Sequence, residues 1–269
     1  MNQGALKLTV LLFVPGDRPE RYAKALASGA DGAIIDLEDA VAPSAKPMAR
    51  HAARLSFAAG LDAFVRINPS NTPEGRADIG ELAGIPLRGV LLPKVEALGS
   101  VRAVGLSSPI VALIETTRGL LNIHEIAADE SVVALAFGAF DLCAELGAQP
   151  TPEVLQPYRS TVVMAARLAG KSVIDAPFLD IEDEAGLRAD ARRAVESGFD
   201  GKLAIHPKQI APIREAFTPS DAELAHARAV LAAVERGGVA VVNGKMVDPP
   251  IVAAAQRTIA RAGSRAAAQ

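Results

Sequence analysis

The sequence predicts an α/β fold, a TIM (β/α)8 barrel with a C-terminal helix–hairpin–helix extension. Three observations predict it. Eight short apolar runs recur along the chain as far as His206, segments with helical periodicity separate them, and each run gives way to a polar or charged residue. Continuous apolar strands alternating with helices imply a parallel sheet covered on both faces. In an eight-stranded barrel of that kind the groups that carry chemistry gather where the strands end.

The runs are LTVLLFV (8–14), GAIIDLE (32–38), AFVRIN (63–68), GVLLPK (89–94), PIVALIE (109–115), VVALAFG (132–138), SVIDA (172–176) and KLAIH (202–206). In the same order they lead to Arg18, then Asp36 and Glu38, Arg66, Lys94, Glu115, Asp141, Asp175 and His206. Between them, residues 19–29 open on Pro19 and close on Gly29, residues 44–60 run from Ser44 to Gly60, and residues 151–170 and 181–198 also end in glycine. Proline at a helix start and glycine just past its end are the expected punctuation. A shorter helix is expected within 75–87. Past the eighth run, 220–237 reads as a long helix, 238–247 as a hairpin turning at Asn243-Gly244, and 249–262 as a final helix. The expected division is therefore a barrel over residues 1–218 and an extension over 219–269. The apolar stretches VLAAV and IVAAA in the extension must be buried, and a neighbouring subunit is the expected place.

Composition excludes several classes. A chain of 269 residues, 50% hydrophobic, can bury a sizeable core, and even spacing of the runs favours one barrel over two small domains. A net charge of −3 and a pI near 5.9 offer no electrostatic footprint for nucleic acid or an anionic membrane. The lone Cys143 excludes an internal disulfide, LTVLLFV is too short to span a bilayer, and no signal peptide is evident. A cytoplasmic protein is expected.

Glu115 and Asp141 end neighbouring runs, whose strands lie about 5 Å apart in a sheet, so both carboxylates can reach one ion. Mg2+ takes hard oxygen ligands and is commonly held by one or two carboxylates plus water and substrate. Helix capping or pairing with arginines is the plainer alternative for both. Arg66 in RINP offers a planar fork suited to a substrate carboxylate, or to a structural ion pair with Asp36 or Glu38. Asp36, Glu38 and Asp39 form the string DLED, suited to holding metal-bound waters or orienting Arg66; Asp39 also suits a helix cap. Arg18, Arg21 and Lys24 follow the first strand, where they either hold phosphates or form a solvated helix face. No GxGxxG or Walker loop accompanies them. His206 is expected to pack or hydrogen-bond below the rim, and Cys143 to be a small buried side chain.

The strings LFVPGDRPERYAKALASGADGAIIDLEDAV, RINP, LPKVE, ALIETTRGLLN, FGAFDLCAELG, GKLAIHPKQI and GKMVDPP, in this order, resemble the citrate lyase beta subunit family, with its malyl-CoA and citramalyl-CoA lyases. The likeness runs from about Leu11 to about Ala255. It implies a TIM barrel, magnesium held by Glu115 and Asp141, substrate binding by Arg66 and coenzyme A binding near Arg18, Arg21 and Lys24. It further implies a homotrimer in which Asp248 of GKMVDPP, reaching from a neighbouring subunit, acts as acid/base. The implied reaction is cleavage of a 2- or 3-hydroxyacyl thioester into an oxo acid and an acyl thioester. Alternatives are a malate-synthase-like condensation, a class II pyruvate aldolase, or a non-catalytic binder of a dicarboxylate or coenzyme A. Nothing in the chain marks an acyl-carrier partner.

Overall fold

In sequence order β1 (Val10–Pro15), β2 (Gly32–Asp36), β3 (Phe64–Arg66), β4 (Gly89–Leu92), β5 (Ile110–Ile114), β6 (Val132–Phe137), β7 (Ser172–Asp175) and β8 (Gly201–Ala204) pair in parallel, and β8 pairs back onto β1. The sheet is a closed barrel. This is a computed structural model, and it describes residues 8–235 and 241–266. Around the barrel lie α1 (Tyr22–Leu26), α2 (Lys46–Ala58), α3 (Pro73–Leu82), α4 (Leu98–Arg102), α5 (Thr117–Leu121), α6 (Ile123–Ala128), α7 (Ala139–Leu146), α8 (Pro152–Leu168), α9 (Glu184–Ser197) and α10 (Ile210–Phe217).

Successive strand residues face opposite sides of the sheet, and this divides the core into two layers. Leu11, Ile34, Phe64, Leu91, Val111 and Leu203 fill the barrel. Their neighbours Leu12, Ile35, Val65, Val90 and Ala204 pack outward under the helices. The ring of Phe64 is admitted by two glycines on the flanking strands: a Cβ on Gly32 would lie 3.1 Å from it, and one on Gly89 2.7 Å. The same alternation sets up the site. Two residues beyond the inner layer, at the open end, stand Phe13, Asp36, Arg66, Glu115, Gly138 and Ile205.

Two of the expected helices begin with a 3-10 turn, Pro19–Arg21 before α1 and Pro43–Ala45 before α2. The short helix expected within 75–87 is α3, Pro73–Leu82, whose Thr72 side chain caps it by accepting from the Gly75 N–H at 3.0 Å.

Beyond the barrel, α11 (Asp221–Glu235), the antiparallel pair β9 (Val241–Val242) and β10 (Lys245–Met246), and α12 (Pro249–Ala266) form the extension. Asn243 and Gly244 turn the hairpin with φ of 50° and 76°, as a two-residue turn with both centres left-handed requires. The apolar faces of the two helices meet each other: Ala227, Val230 and Leu231 pack with Val252, Ala255 and Ile259. Residues 238–240 of the expected hairpin lie outside the described residues.

Candidate active site

Glu115 comes directly after β5 and is 2% exposed. Its Oε1 accepts the Lys94 N–H at 2.8 Å. Lys94 has a φ of 50°, a left-handed conformation uncommon outside glycine. That turn aims the Lys94 backbone at Glu115 while its Nζ donates to Glu38 Oε1 at 2.6 Å. On the other flank, a Cβ on Gly138 would lie 2.6 Å from Glu115 Oε2, so only glycine leaves room for this carboxylate. Burial first, then the charges of Glu38 and Asp141, push the Glu115 carboxyl up to about 8.

Asp141 is exposed in the first turn of α7, where the helix dipole favours an acid. It therefore stands on the helix that follows β6 rather than at the strand end itself. Both it and Glu115 line one cavity of about 420 Å3.

Arg66 lines the same cavity. Its Nε and Nη2 donate to the two oxygens of Asp36 at 2.7 and 2.6 Å, and its Nη1 is 3.1 Å from Glu38 Oε2 and 3.5 Å from Asp39 Oδ2. The guanidinium also lies over the Phe13 ring, 4.7 Å from its centroid. The fork is thus turned toward Asp36, and Nη1 toward Glu38 and Asp39. Asp36 is itself fixed by the N–H groups of Glu38 and Ala40. Glu38 is 4% exposed, burial pushes its pKa up, and its Oε2, although ion-paired to Arg66, lacks a hydrogen bond.

The charges do not balance. Asp36, Glu38, Asp39, Glu115 and Asp141 stand against the cations Arg66 and Lys94. In a cleft of reduced dielectric such a surplus is costly unless a cation joins it. The donors are hard carboxylate oxygens, as Mg2+ requires. Among the described residues no group of three or more His, Cys, Asp or Glu is gathered to hold a metal, so two carboxylates would leave positions open for water and substrate. The residues fit a magnesium ion on those grounds.

The rest of the lining is largely apolar, with Phe13, Leu113, Phe137, Leu179, Leu203 and Ile205. A second cavity of about 340 Å3 is lined by Arg21, Lys24 and His206, and shares Phe13, Pro15 and Ile205 with the first. Arg18 does not line it; its half-exposed side chain is 3.9 Å from Asp17.

Asp248 is not brought to Glu115 of the same chain. Its Oδ1 caps α12 by accepting the Ile251 N–H at 3.1 Å. Farther along α12, Ala254, Arg257 and Arg261 border Gly198, Phe199 and Asp200, which lead into β8 at the barrel end opposite the site. Asp175, which ends the seventh run, does not reach the site. It follows Ile174, which faces the barrel interior, and so points out beneath the helices, bound there by Arg159 and Lys202. His206 caps the turn after β8, its Nδ1 accepting from the Lys208 N–H at 3.2 Å. Cys143 is buried, and burial pushes its thiol up. The sequence reading gave Lys94 no role, although LPKVE puts a charge at a strand end; the left-handed φ that gives it two tasks leaves no trace in composition.

A family model described as HpcH/HpaI aldolase/citrate lyase matches residues 9–207. A citrate lyase subunit beta-like protein of Mycobacterium tuberculosis is 42% identical over 261 residues, 94% of each chain. A (3S)-malyl-CoA thioesterase of Cereibacter sphaeroides is 36% identical over 271 residues, covering 96% of this chain and 95% of that one. Among solved structures, CitE from Mycobacterium tuberculosis in complex with magnesium, acetoacetate and coenzyme A superimposes with a TM-score of 0.88 at 41% identity, covering 96% of this chain and 98% of that one. The citrate lyase beta subunit from the same organism, complexed with oxaloacetate and magnesium, gives 0.73 at 40% identity, covering 79% and 98%.

Proposed function

The chain belongs to the HpcH/HpaI aldolase/citrate lyase family, a family of carbon–carbon lyases, and from that premise we propose that it cleaves a hydroxyacyl-CoA thioester of citryl, malyl or citramalyl type into an oxo acid and an acyl thioester. The observation that carries this is the surplus of acids around Glu115 and Asp141 at the barrel rim. Those two residues would hold Mg2+, in keeping with the magnesium in both mycobacterial relatives. Bound there, the ion would supply Lewis-acid stabilisation to oxygens of the substrate.

The chain's own groups do the rest. Asp36 holds the Arg66 guanidinium flat, and the N–H groups of Nη1 and Nη2 not directed at Asp36 receive the substrate carboxylate in competition with Glu38 and Asp39. Lys94 keeps Glu115 Oε1 occupied, which leaves Oε2 as the oxygen to offer. Asp248 of a neighbouring subunit in a homotrimer takes the hydroxyl proton; the carbon–carbon electrons pass to the thioester half as an enolate, and Asp248 returns the proton to its carbon. The coenzyme A arm runs past Phe13 and Ile205 toward Arg21 and Lys24, with Arg18 free to approach from outside.

The thioesterase relative favours a second reading, hydrolysis of the same thioester. The two are separated by products. Citryl-, malyl-, citramalyl- and methylmalyl-CoA, each incubated with the protein and Mg2+, should yield oxo acid and acyl-CoA from at least one; free thiol with an intact hydroxy acid would establish hydrolysis, and full activity in EDTA would sink the metal. For Asp248, an Asp248→Asn subunit mixed with a Glu115→Gln subunit should regain activity, because some sites then join two intact residues. A mixture whose exchange is verified by mass spectrometry and which stays inactive refutes action across subunits.

A further inference from the structure

The two carboxylates assigned to Mg2+ stand on different elements, and their spacing is held from both sides. Glu115 follows β5, and Asp141 lies in the first turn of α7. Ahead of them in each segment, the N–H of Gly138, which opens α7, donates to Ile114 O at 2.9 Å. Beyond them, Glu145 near the end of α7 accepts twice from Thr117, the first residue of α5: its Oε2 takes the Thr117 N–H at 3.1 Å and its Oε1 takes the Thr117 hydroxyl. Glu115 is thus enclosed between Ile114 and Thr117, and Asp141 between Gly138 and Glu145.

The second tie is the one that aims Asp141. Its side chain is exposed, and among the described residues no hydrogen bond or ion pair holds it. Its direction therefore follows from how α7 is rotated about its own axis. Ala139, Leu142 and Cys143 bury one side of this short helix. Asp141 and Glu145, four residues apart, share another side, so a Glu145 fastened to α5 fixes the face from which Asp141 projects. Glu145 is not placed to bind the ion itself: both of its oxygens are engaged by Thr117, and it does not line the cavity that Glu115 and Asp141 share.

Resting on the assignment of Glu115 and Asp141 to Mg2+, we propose that Glu145 is a positioning residue: by clipping α7 to the first residue of α5 it sets the gap between the two carboxylates to suit a small dication. Mg2+ demands near-ideal octahedral geometry at about 2.0–2.1 Å, whereas Ca2+ accepts a flexible shell at about 2.3–2.6 Å. A loosened pair therefore loses Mg2+ far more than Ca2+. The clip lies at the surface, where water replaces its hydrogen bonds, so its loss spares the fold.

The experiment is isothermal titration of the metal-free protein with Mg2+ and with Ca2+, for wild type, Glu145→Ala, Glu145→Gln and Thr117→Val. Glu145→Ala should weaken Mg2+ at least about tenfold and Ca2+ by less than about threefold, with the metal-free thermal midpoint within about 2 °C of wild type. Glu145→Gln, whose amide offers an oxygen to the Thr117 N–H and a donor to its hydroxyl, should stay within about threefold of wild type for both ions. Thr117→Val should lose part of the Mg2+ affinity in the wild-type background and nothing further beside Glu145→Ala. Equal losses in Glu145→Gln and Glu145→Ala would mean that charge acts and not the clip, which overturns the proposal. So would Mg2+ and Ca2+ affinities that fall together, or a Glu145→Ala protein that binds Mg2+ as wild type does; in each case the metal assignment stands. A wild-type protein that binds no Mg2+ removes that assignment, and this proposal with it.

Discussion

Two clusters of charge lie on opposite faces of the barrel's sheet, one outside β7 and β8 and one at the rim over β2 to β5, and they are built to different ends. Outside the barrel, Lys202 donates to Asp175 and Asp190, and Arg159 donates to the same two acids at 3.0 Å. Arg193 Nη2 adds a third cation 3.4 Å from Asp190, so three cations meet two anions, and Lys202 and Asp175 are fully buried. At the rim, Arg66 and Lys94 face Asp36, Glu38, Asp39, Glu115 and Asp141. Burial raises the carboxyl of Asp190, but Lys202 and Arg159 outweigh it and hold it at about 2; burial raises Glu115 too, and there the neighbouring acids add to the effect. Every acid of the first cluster is answered by cations of the chain itself. The second is completed only by something from outside, and that incompleteness, more than burial or hydrogen bonding, separates a site from a structural network.

The largest effect expected from this contrast is in Glu115→Gln and Asp141→Asn. Each should abolish turnover and Mg2+ binding while the thermal midpoint stays at or above wild type, since Asp141→Asn removes charge from a crowded set and Glu115→Gln keeps a neutral group that still accepts the Lys94 N–H. A clear fall in midpoint with metal binding intact would reverse the assignment of the two clusters.

Next comes Lys202→Met. Removing one member of a buried ion network strands its partners, at a cost of about 3–5 kcal/mol. Thermal or urea unfolding should register the loss, and Mg2+ affinity measured below the new midpoint should be unchanged. If stability holds and metal binding fails, the outer cluster is part of the site.

Arg66→Lys should cost on the order of 10²-fold in kcat/KM, because a point charge cannot hold Asp36 and a substrate carboxylate at once. An enzyme within about threefold of wild type would mean that the carboxylate binds elsewhere.

Much of this was legible in the sequence, and the exceptions have physical reasons. Continuous apolar runs made all eight strands visible, and Asn243-Gly244 marked the hairpin turn. Helices α4 to α7 escaped separate reading: LGSVR, TRGLL and IHEIAA are too short to display a full amphipathic period, and AFDLCAEL is apolar on entry. Asp175 ends its run yet falls on the outer face, and the reason is parity. The alternation that carries Ile34 to Asp36 and Leu113 to Glu115 carries Ile174 to Ala176, so Asp175 falls on the outer face. Which residue of a run faces inward depends on pairing with other strands, and no single run reveals it. The Arg66–Asp36 pair joins residues from two strands for the same reason, and the extension's helices proved to cover each other in part, which a one-helix hydrophobic pattern does not foretell.

The smallest effect separates the two clusters by pH. A dication bound by Glu115 must displace the proton that burial and the neighbouring acids keep there up to about 8. Apparent Mg2+ affinity should therefore rise about tenfold per pH unit from pH 6 and level off above about 8. Without the ion, this carboxyl is protonated in the fold while its unfolded counterpart ionises near about 4.3, so its contribution to stability is present at low pH and is lost as pH rises toward about 8. Asp190 runs the other way. Its folded pKa is depressed to about 2, so its contribution is complete above the unfolded value of about 3.9 and is lost as pH falls through about 2. Between pH 5 and 9, then, metal affinity should change and the outer cluster's share of stability should not. Isothermal titration of Mg2+ across this range, with Asp141 and Glu38 intact, tests the first half, and urea unfolding of wild type against Asp190→Asn tests the second. Mg2+ affinity that is flat from pH 6 to 9 would mean that Glu115 is already ionised, and that the acids at the rim are balanced by a cation other than the metal.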